Sequence, residues 1–246
     1  MTNQEERRYL IVNADDFGQS RGINRGIIEA HERGIVTSAS LMVRWPAAAE
    51  AAAYAREHPS LSLGLHFDFG EWRCRNGSWI KLYEVVSEES IAAVSKEASR
   101  QLAAFRRLVG KDPVHLDSHQ HLHGRKPLSS VFIGAAERLG VPLRSHSPQV
   151  RYCGGFYGQT RDGEPLPDFV SPAALIKLLA ELPPGFTELG CHPGYADDLD
   201  SMYRLERATE IETLCDPSIR AAIADMGMEL CSFREIVSAQ NEGSRK

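Results

Sequence analysis

The chain has 246 residues, a formal net charge of −5, 42% hydrophobic and 25% charged residues. This is the balance of a folded globular protein able to bury a full core. It excludes a basic footprint for nucleic acid or an anionic membrane surface, and no apolar run approaches the roughly 18 residues of a membrane helix. The five cysteines are odd in number and form no C-x-x-C pair, which points to neither a disulfide framework nor a thiolate zinc site, so a reducing cytoplasm is the expected compartment. Met1 to Tyr9 is polar and charged, unlike a signal peptide.

Tyr9–Val12 reads as a short buried strand ending in the polar residues Asn13, Asp15 and Asp16. A helix is expected from near Ser20 to Arg33, stopped by Gly34. Ile35–Val43 reads as strand, Pro46–His58 as an alanine-rich helix with proline in its first turn, and Leu61–Phe69 as an alternating strand. Glu71–Val86 has no clear period and carries Trp72 and Trp79, so it reads as a loop inserted over a site. A long amphipathic helix follows over Ser87–Val109, then a histidine-rich strand at Pro113–His123, a helix over about Pro127–Leu139 and a short strand at Val141–Arg144. Ser147–Asp168, rich in glycine, proline and aromatics, reads as a second long loop. Ser171-Pro172 should cap a helix to Leu182. Phe186–Cys191 is expected as strand, Met202–Met226 as a helical region restarted at Asp216-Pro217, and Met228–Cys231 as a last strand before a capping box at Ser232–Glu235. About seven alternations of strand and helix predict an α/β fold with a parallel sheet. With no G-x-G-x-x-G or P-loop in the chain, a barrel, incomplete if need be, is preferred over an open doubly wound sheet. No domain boundary is visible: one domain is expected over residues 1–246, with inserted loops at about 70–90 and 145–170.

The polar residues recur at one place, the ends of strands: Asp15 and Asp16 after the first, His66 and Asp68 late in the third, Asp117 and His119 late in the fourth, and His192 after the strand at 186–191. In an α/β barrel those ends converge on one mouth. Imidazoles together with carboxylates suit a divalent ion such as Zn²⁺. The run His115–His123 holds four of the nine histidines, and strand alternation would send His115, Asp117, His119 and His121 to one face. Adjacent Asp15 and Asp16 could divide metal binding from proton transfer, or could simply form a turn before a helix. His66 reads alone as a core histidine and His192 as a turn residue. Their shared placement favours a ligand and a general acid, respectively. Asp68 reads as a second ligand or an ordinary surface acid, the latter preferred, and Asp117 as a carboxylate orienting a ligating imidazole. His121 and His123 stay open between ligand, support and loop. Trp45, Trp72, Trp79, Phe156, Tyr157 and Tyr195 could stack on sugar rings as a group.

Asn13-Ala14-Asp15-Asp16-Phe17-Gly18, Gly34–Ser38, Gly64-Leu65-His66-Phe67, His115–His123 and Cys191-His192-Pro193-Gly194 together resemble the YdjC-like carbohydrate deacetylase family, in family order and over nearly the whole chain. The resemblance implies a distorted or incomplete TIM-like (β/α) barrel of the glycoside hydrolase/deacetylase type. It also implies hydrolysis of an N-acetyl group from an amino sugar or small oligosaccharide. By motif position Asp16, His66 and His119 would hold one divalent ion, Zn²⁺ or Mg²⁺, with Mn²⁺ and Co²⁺ compatible. Asp15 would be the base that activates water and His192 the acid that protonates the leaving amine. The expected partners are a small N-acetylated sugar and a second copy of the chain in a homodimer, with no nucleic acid and no membrane. The family's His-His-His run is here His119-Gln120-His121; the middle position is expected to face away, with little effect. Three rival readings remain: a metal-dependent phosphoesterase built on the H-x-H pairs, a non-haem iron oxygenase using His66 and Asp68, and a non-catalytic sugar-binding protein.

Overall fold

The computed structural model describes residues 7–75, 77–195 and 197–236; residues 1–6, within the segment read as unlike a signal peptide, lie outside them. In chain order the elements are β1 (Arg8–Phe17), α1 (Arg21–Glu32), β2 (Ser38–Leu41), α2 (Ala48–Glu57), β3 (Ser62–Phe67), β4 (Gly70–Arg75), β5 (Ser78–Glu84), α3 (Ile91–Val109), β6 (Leu116–Ser118), α4 (Ser129–Leu139), β7 (Val150–Cys153), α5 (Pro172–Ala180), β8 (Gly185–Cys191), α6 (Leu205–Cys215), α7 (Pro217–Asp225) and β9 (Met228–Cys231). Seven strands form one parallel sheet, six in the order β6-β3-β2-β1-β8-β7 and β9 alongside β1. β8 covers one edge of β1, while β9 and β2 share the other, β9 along Arg8–Ile11 and β2 from Asn13 onward. The sheet curls but does not close among the described residues, giving the incomplete α/β barrel that the alternation predicts.

Local sequence explains the boundaries. Ser20 caps α1 by accepting from the Ile23 N–H, Ser90 caps α3 through Ala93, and Ser171 caps α5 through Ala174 with Pro172 in the first turn. Asp216 accepts from the Ser218 N–H and restarts the chain as α7 after α6. Ser232 and Glu235 close the expected capping box.

Three expectations are corrected. The region at 71–86 is a two-stranded antiparallel hairpin, β4–β5, rather than a loop. Cys74 pairs with Trp79, Trp72 with Lys81 and Glu71 with Tyr83 across it, so its faces are too mixed in polarity to show a period. The strand expected at 141–144 shrinks to one parallel bridge, Leu143 with Leu116, and the true seventh strand, β7, lies inside the region read as loop. The histidine strand is only three residues long; from His119 to Gly124 the chain turns as a 3₁₀ segment, with Gln120 and His121 in the left-handed region at φ 49° and 54°.

The two faces of β1 show where the core sits. Leu10, Val12, Ala14 and Phe17 join the main apolar layer between the sheet and the helices. Ile11 instead packs inside the curl with Val150, Phe233 and Ile236. Above that small plug the interior turns polar: Asn13, Ser40, His115, Asp117, Arg144 and Glu188 are all buried. Buried polar groups persist only when paired, and these bond one another. No helix among the described residues is long and apolar enough to cross a membrane.

Candidate active site

The polar layer leads up to a cavity of about 410 Å³ at the C-terminal ends of the strands. Its floor holds all five residues singled out from the motifs: Asp15, Asp16, His66, His119 and His192. Asp15 and Asp16 stand at the end of β1, His66 in β3, His119 just past β6 and His192 just past β8. Asp16 is left-handed (φ 68°), a conformation that aspartate tolerates better than most residues. The two neighbouring carboxylates take different arginine partners, Arg144 for Asp15 and Arg207 for Asp16. Gly18 follows at φ 92°, where a Cβ would come within 2.9 Å of the Ala48 backbone, so this turn requires glycine.

Asp16 Oδ1 lies 3.2 Å from His119 Nδ1 and 3.5 Å from His66 Nε2, yet accepts no hydrogen bond among the described residues. The other oxygen of Asp16 accepts from Arg207 at 2.6 Å. Donor atoms around a divalent ion at about 2.1 Å sit about 3.0–3.4 Å apart, so this trio has the spacing and chemistry of a metal site. Charge agrees. Burial opposes a proton on His119, but the Asp16 carboxylate beside it prevails and raises its pKa to about 9. Burial likewise opposes ionisation of Asp16, and Arg207 outweighs it, holding the carboxyl well below the usual range. A buried group that clings to a proton in this way marks a place short of positive charge.

His66 offers Nε2 because its Nδ1 is bonded to Asp117 Oδ1 at 2.8 Å, the support expected of Asp117. Asp117 in turn accepts from Ser40 Oγ at 2.6 Å, and Ser40 meets His115 Nε2 at 3.0 Å. His115 therefore serves this chain and not the cavity. It stacks on Phe233, and burial pushes it down to about 4. Gly64 of β3 makes room for it, since a Cβ there would sit 2.4 Å from the imidazole.

Asp15 is gripped by Arg144, which donates to both of its oxygens at 2.6 and 2.7 Å and also reaches Asp117 at 2.9 Å and Glu188 at 2.8 Å. Burial opposes the charge on Asp15; Arg144 overcomes it and lowers the pKa. His192 Nε2 lies 3.8 Å from Asp15 Oδ2, and its ring meets the stacked pair Tyr157–Tyr203 edge-on, 5.5 Å from each centroid. Burial pushes His192 down to about 4, so it is neutral at pH 7.

Sequence reasoning missed Arg144, Arg207, Glu188, Glu210, Tyr152 and Tyr203. None belongs to a short motif, and the only available signal was a charged residue within an expected strand, as with Arg144 and Glu188. Two readings are corrected. Asp68 is fully buried rather than a surface acid, and accepts from Arg44, Trp45 and Tyr83 beneath the hairpin. Gln120 does not face away: it borders the cavity and clasps the Trp72 backbone in both directions, at 2.9 and 2.7 Å. Of the aromatics grouped above, Trp72, Phe156 and Tyr157 line the cavity, joined by Tyr152 and Tyr203; Trp45, Trp79 and Tyr195 do not. His121 lines the wall beside Tyr152, while His123 is buried against Ser118.

Glu210 accepts from the His192 N–H and from the Tyr203 hydroxyl. Burial outweighs these donors and Arg207, raising its pKa from 4.5 to about 8. A carboxyl whose folded pKa is raised stabilises the fold fully below pH 4.5 and loses that contribution as pH climbs toward 8. Glu210→Gln, neutral at every pH, should therefore melt progressively higher than wild type as pH rises from 5 to 9. A constant difference in melting temperature across that range would contradict the prediction.

The curled sheet with its site at the strand ends places the protein in the α/β class of carbohydrate-deacetylase folds. The fold resembles a crystal structure of an Enterococcus faecalis V583 protein (25% identity, TM-score 0.75, covering 94% of this chain and 99% of that one). It also resembles the family 4 carbohydrate esterase of Streptomyces lividans (15% identity, TM-score 0.53, 92% of each chain). Residues 9–225 match the model of the family described as YdjC-like protein, and the chain belongs to that family. Relatives include a chitooligosaccharide deacetylase of Serratia marcescens, 33% identical over 93% of this chain and 99% of its own. Another is a carbohydrate deacetylase of Geobacillus stearothermophilus, 36% identical over 93% and 98%.

Proposed function

We propose that the protein is a divalent-metal-dependent N-deacetylase acting on a small N-acetylated amino sugar. That it is a carbohydrate deacetylase rests on its family and relatives. The observation that carries the metal dependence is Asp16 Oδ1, buried, without a hydrogen bond and facing two imidazoles. Asp16, His66 and His119 would hold the ion, and three protein ligands leave room for substrate and water. A bound ion would polarise the acetyl carbonyl and make water more acidic.

Asp15, kept ionised by Arg144, takes a proton from the attacking water as the new C–O bond forms. His192 starts neutral, so the proton it delivers must first reach it, and Asp15 is 3.8 Å away. His192 then gives that proton to the nitrogen as the C–N bond breaks, releasing acetate and the free amine. The aromatic wall of Trp72, Phe156, Tyr157, Tyr152 and Tyr203 suits the apolar face of a sugar ring, and the cavity falls within the roughly 300–1,000 Å³ of small-molecule sites. The cytoplasmic compartment and a homodimer, the commonest closed assembly, form part of the same proposal.

The rivals fare worse on particular contacts. Asp15, His66 and Asp117 form a second cluster with metal-ligand chemistry, but Arg144 already places a fixed cation between its two carboxylates, which disfavours a two-metal phosphoesterase. Asp68 is tied to the hairpin, away from an oxygenase triad with His66.

Protein stripped of metal and then supplied with Zn²⁺, Mg²⁺, Mn²⁺ or Co²⁺ should release acetate from at least one member of a panel of N-acetylated sugars. Equal release in the presence of chelator would remove the metal dependence. Silence across the panel with metal bound would remove the activity.

A further inference from the structure

Arg207 is buried on α6 and spends its guanidinium on three partners. Nε donates to the Tyr203 carbonyl at 2.9 Å, Nη1 to the His192 carbonyl at 3.2 Å and Nη2 to Asp16 Oδ2 at 2.6 Å. Its own carbonyl accepts from the Gly194 N–H at 3.3 Å. The turn carrying His192 is therefore stitched to Arg207 at both the side chain and the backbone. Asp16 lies at the irregular end of β1 in a left-handed turn whose backbone is held by the Gln19 N–H on the Asp16 carbonyl at 3.0 Å, and its carboxylate still needs a partner to set its rotation. With Oδ2 occupied by a planar fork, only Oδ1 is left to face His66 and His119.

We propose that Arg207 is a positioning residue that makes Asp16 a one-oxygen metal ligand and ties the placement of that ligand to His192. The inference rests on the metal-dependent reading above. A guanidinium can do this and an ammonium cannot do it fully, because three separate directions must be satisfied by one rigid group. An ion pair that served stability alone would leave metal affinity untouched when broken.

The test uses the full chain, stripped of metal, as wild type, Arg207→Lys and Arg207→Ala, each titrated with Zn²⁺ and with Co²⁺. Calorimetry would give the affinity and the visible spectrum of Co²⁺ would report its coordination. Loss of a group that orients a ligand costs about 10–100-fold in metal affinity. That loss is expected for Arg207→Ala, with an altered Co²⁺ spectrum, and an intermediate loss for Arg207→Lys. Because Arg207 borders the cavity, millimolar guanidinium should restore part of the affinity of Arg207→Ala. Should the alanine variant not fold, the lysine variant carries the same affinity and spectral readouts. Wild-type affinity and spectrum in a folded variant, with only a lower melting temperature, would overturn the inference. A wild type that binds no ion would overturn the proposed function, and this inference with it, and is told apart from the former by that control.

Discussion

Asp15→Asn is expected to lower kcat/KM by about 10²–10⁴, the range supplied by a positioned general base, while metal affinity stays within a few fold of wild type. The substitution keeps the shape of the side chain and removes its ability to accept a proton. Metal affinity should survive because both oxygens of Asp15 already belong to Arg144 and the proposed ligands are Asp16, His66 and His119. The amide would also turn a donor toward Arg144, so a modest fall in melting temperature is expected alongside. Acetate release and calorimetric metal titration on one preparation would check both halves. Lost metal binding with activity merely reduced would reverse the roles given to the two aspartates.

Arg144→Met should cost about 3–5 kcal/mol of stability, the usual penalty for removing one partner from a buried ion pair. In a chain of this length that corresponds to a drop in melting temperature of about 10 °C. Three buried carboxylates, Asp15, Asp117 and Glu188, would lose their shared cation at once. Glu188 is already raised to about 7, burial exceeding the pull of Arg144, so without the arginine it should hold a proton at neutral pH. Arg144→Lys should fall between, since a point charge cannot reach three carboxylates in separate directions. Thermal unfolding decides the matter: a methionine variant melting within a degree or two of wild type would mean that the cluster is not held by this cation.

How much of this was legible in the sequence depended on whether a signal was local. The caps at Ser171 and Asp216, the helix start near Ser20 and the apolar strands could be read directly, because short-range periodicity and capping chemistry specify them, whereas α3 begins after Ser90 rather than at the expected Ser87. The five motif residues were legible because the strand ends of a barrel share one mouth. Arg144 and Arg207 were not, because their partners lie 129 and 191 residues away and an arginine in a strand or helix carries no sign of what it will meet. β7 was missed because four residues next to a glycine- and proline-rich segment leave no pattern. His121 was placed on the wrong basis because alternation was extended past Ser118, where the backbone switches to a 3₁₀ turn.

Three consecutive residues face three different tasks: His119 meets Asp16, Gln120 grips the β4–β5 hairpin, and His121 stands in the wall beside Tyr152. The part of the cavity proposed to meet the sugar and the part proposed to hold the ion are thus not separate modules. Exchanging the hairpin for one of different length or sequence, as an engineer might to alter substrate choice, would unload the clasp at 120 and let the left-handed turn relax. The neighbouring imidazole at 119 would then shift. Specificity in this scaffold should accordingly be changed by transplanting the hairpin together with its turn, as one cassette.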